Sequence, residues 1–159
     1  MPAYTVTLVG ENGEPVGRDR VGELHVWGPG MLDAYLAPWR PIHLLLNESG
    51  FATGDFARLD RDGYLFLAGR GKNRIRIDGI MFFCEEVESI LNSLPGVQES
   101  RVFFDAKSNA LSAEIVGRPG PAERLYQLLL EKIDERKVPK VFFLVETLPR
   151  TANGKLRRA

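Results

Sequence analysis

One lysine, Lys155, stands beside a glycine in the basic stretch Pro149-Arg150-Thr151-Ala152-Asn153-Gly154-Lys155-Leu156-Arg157-Arg158, just beyond a Phe/Val/Leu-rich run. A packed core has no use for that arrangement. It suits a mobile arm that delivers a compact charge on a flexible stem to an anionic reaction centre, the glycine freeing the backbone. A solvated basic C-terminus has the same composition, so the rest of the chain must decide between the two. Two further polar clusters could do chemistry. Thr53-Gly54-Asp55 puts a carboxylate beside a permissive backbone, and its two acceptor oxygens suit the paired hydroxyls of a ribose. Gly69-Arg70-Gly71-Lys72 adds two cations in a glycine-rich stretch. Taken alone, Asp55 reads as a turn or cap residue and Arg70 as a surface charge.

The elements that must position these clusters follow from hydrophobic patterning. Residues 4–9 are a β-branched, strand-like run, and Gly10–Pro15 is a turn cluster. Residues 22–27 alternate polar and apolar as a half-buried strand does. Met31–Leu36 fits one helical turn, and 37–41 reads as loop. Residues 56–59 and 64–67 are short strands around Asp60-Arg61-Asp62-Gly63, a hairpin signal. Residues 1–70 are therefore expected to form a small all-β subdomain.

Beyond residue 73 the pattern changes. Residues 74–77 alternate as a strand broken by Gly79. Val87, Ile90, Leu91 and Leu94 lie at helical spacing within 84–94, with Glu85, Glu86 and Glu88 near the positive end of the helix dipole. Residues 97–104 and 111–116 read as strands, and Pro121 opens a helix running to about Arg136. Residues 141–145 read as a buried strand. The expected fold class is α+β: an all-β subdomain, a hinge at 71–73, and a compact domain over 74–159 of order β-β-α-β-β-α-β. Gly69–Asn73 has two glycines and no bulky apolar residue, so it could absorb a large backbone change, as hinges do, or be an ordinary interdomain turn.

Composition narrows the classes. Apolar residues at 44% support a real core, and Lys+Arg equals Asp+Glu at 21 each, which argues against a general nucleic-acid binder. The single cysteine, Cys84, excludes a disulfide framework, and two isolated histidines do not suggest a metal centre. The first residues lack a signal pattern and no apolar run is long enough to span a bilayer, so the chain reads as soluble and cytoplasmic.

Taken together, in this order and spacing, the clusters resemble those of the acyl-activating adenylate-forming enzymes, which include acyl-CoA synthetases, peptide-synthetase adenylation domains and beetle luciferases. Gly22-Glu23-Leu24-His25-Val26-Trp27-Gly28-Pro29-Gly30, Gly50–Asp55, Asp62–Arg70, Arg74–Gly79 with Glu86-Val87-Glu88, and Pro149–Lys155 are similar to successive motifs of that family. The resemblance implies that Asp55 binds the ribose hydroxyls of ATP and of the acyl-adenylate, and that Arg70 contacts the same nucleotide. It puts Lys72 at the hinge position and Gly79 beside the thiol channel. It makes Lys155 the catalytic lysine that neutralises charge as the acyl carboxylate attacks the α-phosphate. The family runs two half-reactions, and the C-terminal domain rotates between them to exchange the Lys155 and Gly79 faces.

Lys72 with Ile77-Asp78-Gly79 looks more like an acyl- or aryl-CoA ligase than a peptide-synthetase domain. An acyl-AMP ligase or peptide-synthetase fragment that loads a carrier protein is the alternative, as is a non-catalytic interaction module. Cys84 stands where the family has proline and reads as a small buried residue, Phe82-Phe83 are bulky enough to alter the thiol channel, and residues 37–49 match poorly. These residues contain neither a Ser/Thr/Gly-rich phosphate loop nor an acidic cluster suited to Mg²⁺. The chain is therefore expected to be inactive without an N-terminal adenylation region. That region, together with CoA or a carrier-protein phosphopantetheine, is its expected partner. ATP and Mg²⁺ are expected in the complete enzyme and none bound to this chain alone; neither nucleic acid nor a membrane is an expected partner.

Overall fold

The computed structural model describes residues 4–157; Met1–Ala3 of the N-terminal stretch and Arg158 of the basic tail lie outside them. The chain divides into two compact units, Met1–Lys72 and Asn73–Ala159.

The first unit is built on antiparallel strands. β1 (Thr5–Val9) pairs β2 (Val21–Trp27), and β2 pairs β6 (Gly50–Leu59). The other edge of β6 is shared by β5 (Leu46–Asn47) and β7 (Leu65–Arg70). β6 and β7 are the hairpin expected around Asp60–Gly63, and Asp60 stabilises its turn by accepting from the amides of Asp62 and Tyr64. The core here is small: Leu8, Leu24 and Ala57 are buried, with Val16, Val26 and Leu59 packed against them.

Two expectations in this unit fail. Met31–Leu36 is no helical turn and 37–41 is not all loop. Ala34–Leu36 forms β3 and pairs with β4, Trp39–Pro41. Pro38 explains this, because a proline drives the residue before it out of the helical region.

In the second unit β8 (Arg74–Ile77) and β9 (Ile80–Phe83) form a hairpin, followed by α1 (Cys84–Asn92). β10 (Val97–Asp105) and β11 (Ala110–Gly117) are antiparallel. α2 (Ala122–Leu130) then crosses to β12 (Val141–Leu144), which pairs parallel with β11, as a helical crossover permits. The order β-β-α-β-β-α-β is the expected one. Val87 and Leu91 of α1 and Leu125 and Leu129 of α2 each lie four residues apart, on one helix face, and are fully buried with Val102, Ala113 and Ile115 of the sheet.

Three details differ from expectation. α2 stops at Leu130, not near Arg136. The Asp134 carboxylate caps a separate 3-10 turn, Glu135–Lys137, and Pro139 keeps Val138 extended. β12 is not buried, since Phe143 and Leu144 are 44% and 64% exposed. Phe82 and Phe83 are buried side chains, Phe82 within the main core, and Cys84 is buried beside them, as a small packed residue should be. Among the described residues no helix is long and apolar enough to cross a membrane.

Candidate nucleotide and acyl-transfer site residues

Asp55 is placed by a break in strand pairing. Between Glu23↔Phe56 and His25↔Ala52 the register of β2 and β6 shifts, so that Thr53-Gly54-Asp55 bulges opposite Leu24. The Thr53 hydroxyl holds the bulge by donating to the Leu24 carbonyl at 2.8 Å and accepting from the Asp55 amide at 3.1 Å. Gly54 sits at φ +75° within it. A bulge re-aims a side chain that a regular strand would lay flat. On the neighbouring strand Arg70 lies directly across from Asp55, and its Nε donates to Oδ1 at 2.7 Å. The structure therefore brings two expected site residues together as a partly exposed pair. One carboxylate oxygen of Asp55 is engaged by Arg70, and the carboxylate keeps further acceptor capacity.

Lys72 is exposed within a 3-10 turn, Gly71–Asn73. Asn73 is buried and its amide donates to Glu85 of α1.

Gly79 forms, with Asp78, the two-residue turn of the β8–β9 hairpin. Both have positive φ, +47° for Asp78 and +79° for Gly79, with Ile77 facing Ile80. That is the geometry for which Asp-Gly is favoured. No atom lies within 4 Å of where a Gly79 Cβ would stand, so this turn is a bare, exposed backbone tip. Asp78 also lines a cleft of about 600 Å³ in the second unit, with Arg76, Phe104, Arg136 and Lys140. Two of the cations there, Arg136 and Lys140, have local partners. Arg136 forms a forked pair with Asp134, whose carboxyl is held well below the usual range mainly by that guanidinium. Lys140 is raised by the Tyr126 hydroxyl and then by Glu135.

Lys155 is exposed on a closed loop rather than a free arm, which corrects the sequence expectation. Arg150 and Leu156 form an antiparallel bridge. The Thr151 amide donates to the Lys155 carbonyl at 2.8 Å, and the Gly154 amide to the Thr151 carbonyl at 2.9 Å. Gly154, at φ +74°, turns the chain instead of loosening it. Arg150 pairs with Glu99 of β10 and Arg101 donates to the Arg157 carbonyl at 2.9 Å, so the loop is pinned to the sheet. Among the described residues no hydrogen bond or ion pair holds the Lys155 ammonium. Spacing could not reveal these braces, because Arg150 and Glu99 are 51 residues apart and Arg101 and Arg157 are 56 apart.

Among the described residues no three His, Cys, Asp or Glu side chains converge to hold a metal ion.

With its two-stranded hairpin, α+β body and braced terminal loop after an Asp–Arg strand pair, the chain is similar to the C-terminal portion of acyl-activating adenylate-forming enzymes. Residues 86–155 match the AMP-binding enzyme C-terminal domain. The chain is 32% identical to the indoleacetate–CoA ligase of Aromatoleum aromaticum, over 99% of this chain and 32% of that protein. It is 31% identical to the 2-succinylbenzoate–CoA ligase of Bacillus licheniformis, over 99% of this chain and 37% of that one. The structure of O-succinylbenzoate coenzyme A synthetase from Bacillus subtilis in complex with AMP is similar with a TM-score of 0.84 at 27% identity, over 96% of this chain and 32% of that chain. The chain thus spans about a third of the length of the relatives it matches.

Proposed function

We propose that this chain supplies the C-terminal part of an AMP-forming acyl- or aryl-CoA ligase, and that it works only with an N-terminal adenylation region. In this reading Asp55 accepts the ribose hydroxyls of ATP and of the acyl-adenylate, while Arg70 orients the Asp55 carboxylate and contacts the same nucleotide. Gly71–Asn73 is the hinge, with Lys72 at its exposed centre. Lys155 enters the reaction centre for the first half-reaction. There the acyl carboxylate oxygen attacks the α-phosphorus, the bond to the bridging oxygen breaks, and pyrophosphate leaves with that electron pair. The ammonium stabilises the negative charge that builds on the acyl and phosphoryl oxygens. In the second half-reaction the Asp78–Gly79 tip takes its place. The thiolate sulfur of CoA attacks the acyl carbon there and AMP departs.

The observation that carries this reading is Lys155 itself. Its ammonium is exposed and uncommitted among the described residues, at the end of a loop whose backbone is fixed. A solvated basic tail would not need that bracing. Mg²⁺, when bound with ATP, would offset triphosphate charge. CoA as acceptor is favoured over a carrier protein by Lys72 and by Ile77-Asp78-Gly79.

The test supplies this chain to an adenylation region of a related ligase that lacks its own C-terminal domain, and measures acid-dependent pyrophosphate exchange. Exchange is expected to appear on mixing and to fall about 10²–10³-fold with Lys155→Ala, the usual cost of removing one transition-state donor. Equal exchange with the intact chain and with Lys155→Ala refutes the role given to Lys155.

A further inference from the structure

The lysine stem is flexible, so the place where it leaves the backbone decides where its charge can go. Among the described residues the backbone hydrogen bonds of the 150–156 loop close it upon itself and reach no other element. Attachment comes from side chains. Arg101, little exposed and paired with Glu114 at 2.8 Å, holds the far strand through the Arg157 carbonyl. Arg150 reaches the tip: its Nη1 donates to the Gly154 carbonyl at 2.9 Å while its Nη2 pairs with Glu99 of β10. The Gly154 carbonyl belongs to the peptide that leads directly into Lys155.

We propose that Arg150 is a positioning residue for Lys155, bridging Glu99 and the Gly154 carbonyl so that the adenylation lysine leaves a fixed peptide plane. This rests on the reading of Lys155 given above. The guanidinium holds both oxygens with two separate nitrogens in a fixed planar fork, whereas a lysine ammonium offers its donors from one nitrogen without that fixed geometry. The Arg150–Glu99 pair is about half exposed, 47% and 37%, so it contributes little to folding and its loss should leave the domain intact. What is lost is placement.

Two measurements test this. In the 159-residue chain, backbone NMR order parameters at Gly154 and Lys155 are expected to drop from the rigid range to below about 0.6 in Arg150→Ala. In the complemented enzyme, kcat for acyl-adenylate formation should fall about 10- to 100-fold with KM for the acid nearly unchanged, as a misplacement of about 1 Å can cost. The thiol step from preformed acyl-adenylate should stay within about twofold of the parent. Arg150→Lys should restore the rate only in part. Unchanged order and unchanged adenylation in Arg150→Ala, where Lys155→Ala is crippled, overturn the proposal. Equal losses in both half-reactions indicate a merely structural role and overturn it as well. Should Lys155→Ala itself behave as the parent, the reading of Lys155 falls and takes this one with it, so the two failures are told apart.

Discussion

Asp55 and Lys155 owe their positions to irregular backbone, not to regular strands. Thr53-Gly54-Asp55 is legible as chemistry because residue types and order survive in any conformation. The bulge that projects the carboxylate is not legible, because it depends on the pairing of β6 with β2. Gly79 offers a direct check at this scale. Its φ of +79° belongs to the left-handed region, and no neighbour stands within 4 Å of where an added methyl would lie. Gly79→Ala therefore meets strain without a clash, and thermal unfolding should show a loss of about 1–2 kcal/mol. A neutral Gly79→Ala would mean that the hairpin tip is not held in that conformation.

At the scale of elements, the junction of α1 with β10 rests on a buried carboxylate. Glu88 is 6% exposed, and its Oε1 accepts from the Val102 amide at 2.7 Å. β10 is an edge strand, so that amide would otherwise be left for a stray strand or for water. Glu88→Ala should cost about 1–3 kcal/mol in denaturant unfolding, the penalty of leaving a buried donor unsatisfied. No measurable change would show that water replaces the carboxylate. The early glutamates of α1 look like dipole partners in the sequence; that one of them points inward depends on a strand 14 residues away. The end of α2 escapes the sequence for a related reason. Apolar periodicity continues to Ile133, but the Asp134 cap and Pro139 impose a different local geometry. Asp134 also sets a pH dependence. Its folded pKa lies below the ordinary 3.8, chiefly through the hydrogen bond from Arg136. The stabilisation is present above that ordinary value and is lost as pH falls through the lower folded one. Melting temperature should therefore drop less steeply between about pH 5 and about pH 2 in Asp134→Asn than in the parent. Equal slopes would remove Asp134 from the account.

For the whole molecule, the two units differ in how far they can stand alone. Among the described residues the second has a core of a dozen buried side chains drawn from both helices and the sheet, whereas the first buries only Leu8, Leu24 and Ala57 as a cluster and leaves Trp39 67% exposed and Leu36 83% exposed. Element order and fold class are readable because periodicity switches from 2 to 3.6 beyond residue 73. The bracing of the terminal loop is not, because it joins residues more than fifty positions apart. In the proposed function one unit carries two faces, Lys155 for making the acyl-adenylate and the Asp78–Gly79 tip for consuming it. The most direct test measures both half-reactions, in single turnover, for Lys155→Ala and Gly79→Leu in the complemented enzyme. Lys155→Ala is expected to lose about 10²-fold or more in adenylate formation while preformed acyl-adenylate still reacts with CoA at the parent rate, and Gly79→Leu is expected to show the reverse. Parallel losses in both half-reactions for both variants would contradict it.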